Sequence, residues 1–229
     1  MNLEEFSKLA ASRRAVRRFQ PDPIPKETLE ALLNCARWAP SGFNLQPTHY
    51  FVVQNHNQDQ KKKEKMLKAC CYQQQVVQAP AVVVFTGDRR VISHNLEQVI
   101  IDDEMTEEAE TRFRRNVSLY FDQGFGISWL AKLIGAPLLR LFTPMPVLPA
   151  VYKRNWLTKQ VSLAAMNFML AAEAAGLATS PIEGFDEWRV KRALGIPWYH
   201  VVPIVIPVGY AAEANITKSR FPLEELVHW

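Results

Sequence analysis

Three stretches of the chain carry residue types suited to holding a flat, polar ligand. The first is Pro181-Ile182-Glu183-Gly184-Phe185. Pro181 has no N–H and keeps the residue before it extended. Gly184 permits a tight turn and close backbone approach. The N–H groups of Glu183 and Gly184 are thereby candidates to point into open space as two adjacent donors. Taken alone, the stretch reads first as a strand-to-helix turn with glycine as punctuation. The second stretch is Arg13-Arg14-Ala15-Val16-Arg17-Arg18-Phe19, with four arginines in six positions. Guanidinium forks match phosphate or carboxylate oxygens. A solvated helix end, where cations complement the helix dipole, is the competing reading. The third stretch is Pro40-Ser41-Gly42-Phe43-Asn44-Leu45-Gln46-Pro47. Its Ser, Asn and Gln supply neutral donors and acceptors fit for an uncharged heterocycle, although the same residues are common in surface loops.

Elements on either side must position these stretches. Residues 3–13 have helical periodicity, with Leu3, Phe6, Leu9 and Ala10 on one face. Pro21, Pro23 and Pro25 impose an extended linker, and Pro25 suits the first position of a helix. That helix carries Leu29, Leu32, Leu33 and Ala36 on its apolar face and stops at Trp38-Ala39-Pro40. Strands are expected near 48–54, 81–86, 177–182 and 201–209. Pro203 and Pro207 place the last where missing donors are tolerated, as at a sheet edge. Lys61-Lys62-Lys63 reads as the solvated start of a helix, and residues 91–118 as a polar helix with a solvated face. Residues 120–156 are rich in Phe, Trp, Leu and Pro; Lys132, Pro137, Arg140 and Pro144 interrupt any spanning helix there. A membrane-surface role for 120–150 stays open. The pattern predicts one α+β domain over residues 1–229, with an excursion near 90–156.

Composition excludes several function classes. Apolar residues make up 48% and charged residues 22%, ordinary for a globular protein. A net charge of +4 without a dense basic stripe argues against nucleic acid. Three cysteines, two of them adjacent, form no C-x-x-C pair, so neither a disulfide framework nor a zinc site is expected. With an acidic, non-apolar start, reduced thiols point to a cytoplasmic protein. His49, His56, His94, His200 and His228 show no ligand spacing, so no metal is expected. No G-x-G-x-x-G or G-x-S-x-G motif is present.

The three stretches, in this order and spacing, resemble the signature segments of the FMN-dependent nitroreductase family. Lys218-Ser219-Arg220 after the last strand and the long helix through 159–177 match it as well. The resemblance implies a mixed, mostly antiparallel sheet flanked by helices, in an intertwined homodimer whose tail, residues 221–229, embraces the partner. It implies that Arg13, Arg14 and Arg17, with Lys218 and Arg220, hold the FMN phosphate and ring edge, with Ala15 beside them. Ala15 stands where the family usually has Ser, and Thr48 where it often has Trp. Pro40, Ser41 and Asn44 would reach the flavin from the other subunit. Pro181, Ile182, Glu183 and Gly184 would lie near flavin N5, and an amide from the 73–75 run, Gln75 foremost, at the pyrimidine edge. The implied activity is reduction of nitroaromatic, quinone or similar electron-poor acceptors, with NADH or NADPH as co-substrate, through a ping-pong hydride relay at flavin N5. No catalytic side chain is implied. Phe125 and Trp129, with Phe142 behind them, fall where the family carries a variable substrate lid; core or dimer surface is the alternative. Flavin-dependent dehalogenation, flavin fragmentation and FMN binding without turnover remain open.

Overall fold

The computed structural model describes residues 2–54, 60–121, 127–144, 152–212 and 219–229. Four strands form one sheet in the order β1-β2-β4-β3: β1 (Thr48–Gln54), β2 (Ala81–Asp88), β3 (Ala178–Thr179) and β4 (His200–Gly209). Every pairing between them is antiparallel. Helices cover both faces. α2 (Lys26–Arg37) and α8 (Lys153–Ala174) lie on one; α3 (Gln60–Ala69), the single turn α4 (Gln75–Gln78) and α9 (Glu187–Leu194) lie on the other.

This layering explains why β2 shows no alternation of apolar and polar residues. All eight of its residues are buried. Val83 and Phe85 face Phe168 and Val161 of α8 and Leu29 and Leu32 of α2. Val82 and Val84 face Met66 of α3 and Val190 of α9. A strand covered on both faces needs apolar residues at every position.

β4 lies inside the sheet, not at its edge. Its prolines are accommodated by parity. Val205 exchanges both backbone hydrogen bonds with Ile182, and the Pro207 carbonyl accepts from the Ser180 N–H. Pro203 and Pro207 share that parity, so their missing donors face the thinly paired β3 side and leave the ladder to β2 intact. A register shift between Phe85 and Gly87 lies opposite Pro203.

Near the N-terminus, α1 (Leu3–Ser12) opens with a capping box: Asn2 and Glu5 each accept the other's backbone N–H through their side chains. The polar helix expected over 91–118 is two helices, α5 (Val91–Asp102) and α6 (Glu107–Phe121). They pack through Val91, Val117 and Phe121 onto Trp156 and Leu157 of α8. α7 (Ile127–Leu139) follows, with Leu130, Ile134, Leu138 and Leu139 exposed. Among the described residues no helix is long and apolar enough to cross a membrane. The lysine run departs from its solvated reading. Lys63 is buried and its Nζ donates to the Ala79 carbonyl, so one of the three lysines ties α3 to the start of β2.

Candidate functional site

The 181–185 segment leaves the sheet through one last bridge, between Ile182 and Val205. Ile182 is buried as the anchor, while Glu183 and Gly184 are exposed. Phe185 closes a tight turn by donating its N–H to the Glu183 carbonyl, 3.0 Å away. Asp186 then caps α9: its N–H reaches the Ala69 carbonyl at 2.8 Å and its carboxylate accepts from the Arg189 N–H. The turn is thus held at both ends, by sheet and by helix cap. Among the described residues, neither the Glu183 nor the Gly184 N–H donates to a protein group. A Cβ placed on Gly184 would meet only Gln73 Nε2, at 3.7 Å.

Gln73 is the neighbour that sequence order left ambiguous. Its Nε2 donates to the Gly184 carbonyl at 2.9 Å, and Gln75 Nε2 donates to its Oε1 at 2.9 Å. Gln73, not Gln75, therefore touches the 184 turn, and Gln75 orients it. Two non-glycine residues with positive φ, Cys71 and Tyr72, deliver Gln73 to this position. Such conformations cost free energy and cluster at functional sites.

The arginine stretch is laid against the same strand end. Ala15 forms a parallel bridge with Thr179, and the Val16 N–H donates to the Thr179 carbonyl at 3.0 Å. Val16 and Phe19 are buried as anchors. Arg13 and Arg14 are half-buried, Arg17 and Arg18 exposed. Beside Ala15 sits an orphan: Thr179 Oγ1 is buried and has no hydrogen-bond partner among the described residues. A buried unpaired hydroxyl is a cost that a bound polar group removes. Pro181, in the next turn of chain, is half-buried.

The 40–47 loop stands apart. No hydrogen bond links it to residues 181–185 within the described chain. It is strained, with positive φ at Phe43, Asn44 and Gln46. Four contacts hold that shape. Ser41 Oγ accepts the Gln46 N–H, Gln160 Oε1 of α8 accepts the Gly42 N–H, Asn95 of α5 donates to the Leu45 carbonyl, and the Phe43 ring packs on Phe113, Tyr120 and Phe121. Pro40 and Asn44 are exposed at its rim, and Pro40, Ser41 and Gln46 line a notch of about 120 Å³.

Of the remaining expected residues, Lys218 and Phe125 lie outside the described residues, and only the backbone of Trp129 is described, in α7. Arg220 and Phe142 are exposed.

One cluster had no signal in the sequence. His49, Asp88 and His200, from the ends of β1, β2 and β4, offer ligand atoms within 4.8 Å of one another. Asp88 accepts from the Arg90 N–H and lies 2.6 Å from His94 Nδ1. His200 Nδ1 is 2.8 Å from Thr86 Oγ1. Burial lowers the His200 pKa to about 4, helped by the charge of His49, and burial also lowers that of His49. Arg90 and Lys191 act on His200 in the same direction. Both Asp88 oxygens and His200 Nδ1 are engaged in hydrogen bonds and two cations act on His200, so the cluster fits a structural role at the sheet end better than a cation site.

Comparison with known proteins agrees with this architecture. The family model described as "Nitroreductase family" matches residues 10–210. A Thermus thermophilus protein named NADH dehydrogenase is 30% identical over 220 residues, covering 96% of this chain and 93% of that one. The crystal structure of the Bacillus subtilis protein ydfN superposes with a TM-score of 0.79 at 29% identity, covering 100% of both chains. A structure from Exiguobacterium sibiricum, solved in complex with FMN, shares the fold at a TM-score of 0.71 and 22% identity, covering 98% of this chain and 96% of that one. The matched span takes in the arginine stretch, the 40–47 loop and the 181–185 turn, and this chain belongs to the nitroreductase family.

Proposed function

We propose that the protein is an FMN oxidoreductase that draws hydride from NADH or NADPH and passes it to electron-poor acceptors such as nitroaromatics and quinones. The observation that carries this reading is the 183–184 turn. It has two N–H donors without a partner among the described residues, open space above Gly184 and the Gln73 amide beside it. Family membership and the FMN complex of a fold relative support the choice of ligand.

The residues present fit the group. Arg13, Arg14 and Arg17, brought to the strand end by the Ala15–Thr179 bridge, are cations for a phosphate; the family resemblance assigns Lys218 and Arg220 to the same phosphate. A phosphate dianion leaving water needs several fixed cations. Thr179 Oγ1 is a buried donor awaiting an acceptor beside them. Pro40, Ser41 and Asn44 serve the site of a second copy of the chain, which accounts for a strained loop held away from its own 183–184 turn. When bound, FMN supplies reversible two-electron chemistry at its ring. The protein's share is positioning. The Glu183 and Gly184 N–H groups orient the ring edge, Gln73 holds the turn, and the cationic surround favours negative charge on the reduced ring. No side-chain nucleophile is called for.

The test is direct. Purified protein should be yellow, release about one FMN per chain on heating, and oxidise NADH or NADPH faster when a nitroaromatic or quinone is added. A colourless protein that takes up no added FMN overturns the cofactor assignment. A yellow protein that oxidises neither nicotinamide is a flavin carrier, not an oxidoreductase.

A further inference from the structure

A second cavity shares no lining residue with the segments assigned to the flavin. It measures about 670 Å³, within the usual range of roughly 300–1,000 Å³ for small-molecule sites. Leu96 of α5 with Val117 and Phe121 of α6 form an apolar part of its lining. Trp198 and Tyr199, just before β4, add aromatic surface. Three cations complete it: Arg89 and Arg90 from the turn after β2, and Lys153 at the start of α8.

Charge in this cavity is one-sided. Arg114 also lines it, but Glu97 holds its two terminal nitrogens at 2.6 Å each and Glu110 its Nε at 2.7 Å. Arg89, Arg90 and Lys153 form no ion pair with a described carboxylate. Asp88, the acid nearest in sequence, is buried and already accepts from the Arg90 N–H and from His94. The Arg90 guanidinium lies 3.4 Å from the centre of the Tyr199 ring, so it is held in place before any ligand arrives. Lys153 is partly stripped of water: burial lowers its pKa, the charge of Asp88 opposes that shift, and the nearby charge of Arg89 adds to it. A partly buried lysine and two exposed arginines that form no ion pair with a described carboxylate, set beside apolar and aromatic surface, match one ligand class.

We propose that this cavity binds an amphipathic anion, a small apolar or aromatic body carrying one carboxylate, with the anionic head on Lys153, Arg89 and Arg90 and the body against Leu96, Val117 and Phe121. Trp198 and Tyr199 close over the body. None of these residues belongs to the arginine stretch, the 40–47 loop or the 181–185 turn, so the site has a lining of its own beside the 40–47 loop, whose Phe43 packs on Phe121.

Calorimetric titration of the purified protein with 2-naphthoate, 2-naphthol and inorganic phosphate tests this. Naphthoate should bind, while the neutral naphthol and the phosphate each bind at least 10-fold more weakly, because each offers only half of the recognition. The double variant Arg89→Gln/Lys153→Gln should lose at least 10-fold in naphthoate affinity at unchanged melting temperature. Val117→Trp should fill the cavity and block binding even if the double variant folds poorly. Gly184→Val, in the other site, should leave naphthoate affinity unchanged. The proposal is overturned if naphthoate and naphthol bind alike, if the cavity variants bind as the unaltered protein does, if Gly184→Val removes the binding, or if no naphthoate binds at millimolar concentration. Loss of FMN with naphthoate binding intact would count against the oxidoreductase reading alone.

Discussion

At the scale of single residues, the useful observations are groups without partners. Gly184 has no positive φ, so it is not there for backbone freedom alone. Its missing side chain leaves space, since an added Cβ meets only Gln73 Nε2. Gly184→Val should therefore cost the fold little, within roughly 0.5 kcal/mol as at other exposed positions, yet lower FMN affinity at least 10-fold. Melting temperature and flavin titration on the same preparation separate the two effects; a variant that binds FMN normally would remove Gly184 from the site. His200 behaves in the opposite way, as a buried group with all its consequences in stability. Its pKa falls from the ordinary 6.5 to about 4 in the folded chain, first through burial. The unfolded chain thus takes up a proton more readily than the native one. The stability this neutral histidine preserves is complete above pH about 6.5 and is lost as pH falls towards about 4. His200→Gln should flatten that part of the profile. Urea unfolding midpoints at pH 7.5, 6 and 4.5 show it; parallel profiles for the two proteins would mean that other groups govern the acid limb.

Secondary-structure elements were legible in the sequence to the extent that their cause was local. Leu29, Leu32 and Ala36 mark the buried face of α2, and all three are core residues. The unbroken apolar run at 81–85 marks a strand covered on both faces. β4 was misplaced because its prolines matter only through the side to which their missing N–H points, and that depends on its partners. The histidine cluster was invisible because β1, β2 and β4 assemble it from positions far apart in the chain. Gln73 and Gln75 could not be ranked by type; only the strained Cys71-Tyr72 turn decides which reaches Gly184. The sequence places the close of β4 at Gly209, where the structure has it, but not the reason a glycine stands there. Gly209 looks like a strand-ending glycine, but it faces Pro80 and Phe19 so tightly that an added Cβ would overlap Pro80 Cδ and Cγ. The neighbour is a rigid ring at the start of β2, so relaxation is costly. Gly209→Ala should destabilise by roughly 1–3 kcal/mol, a fall of roughly 2–12 °C in melting temperature for a domain of this size. A change under 1 °C in a thermal scan would show that the β2–β4 corner can open freely.

At the scale of the whole molecule, the single chain leaves too much apolar surface in water. Leu3 and Phe6 of α1 and Leu163 and Met166 of α8 are exposed, as are Phe221, Leu223, Leu226 and Trp229 in the C-terminal segment. Trp229 has no cover at all, with a relative exposure of 112%. Exposed apolar side chains in this number point to an interface. A second copy of the chain is the occupant that also explains the 40–47 loop, which is held in a costly shape yet makes no hydrogen bond to its own 183–184 turn. Burying the four tail side chains is worth roughly 1.5–3 kcal/mol each, before the entropy of ordering the tail is subtracted. Ending the chain after Arg220 should therefore weaken self-association at least 100-fold while leaving the core packing of α8, β2 and β4 in place. Sedimentation velocity across a concentration series, with absorbance read at protein and flavin wavelengths together, reports both consequences. The full-length protein should sediment as a dimer carrying flavin, and the shortened chain should dissociate on dilution and shed flavin as it does so. If the shortened chain stays dimeric, the interface lies on α1 and α8 and the tail is dispensable. If it becomes a monomer and keeps its flavin, the site is complete within one chain, and the role given to Pro40, Ser41 and Asn44 is wrong.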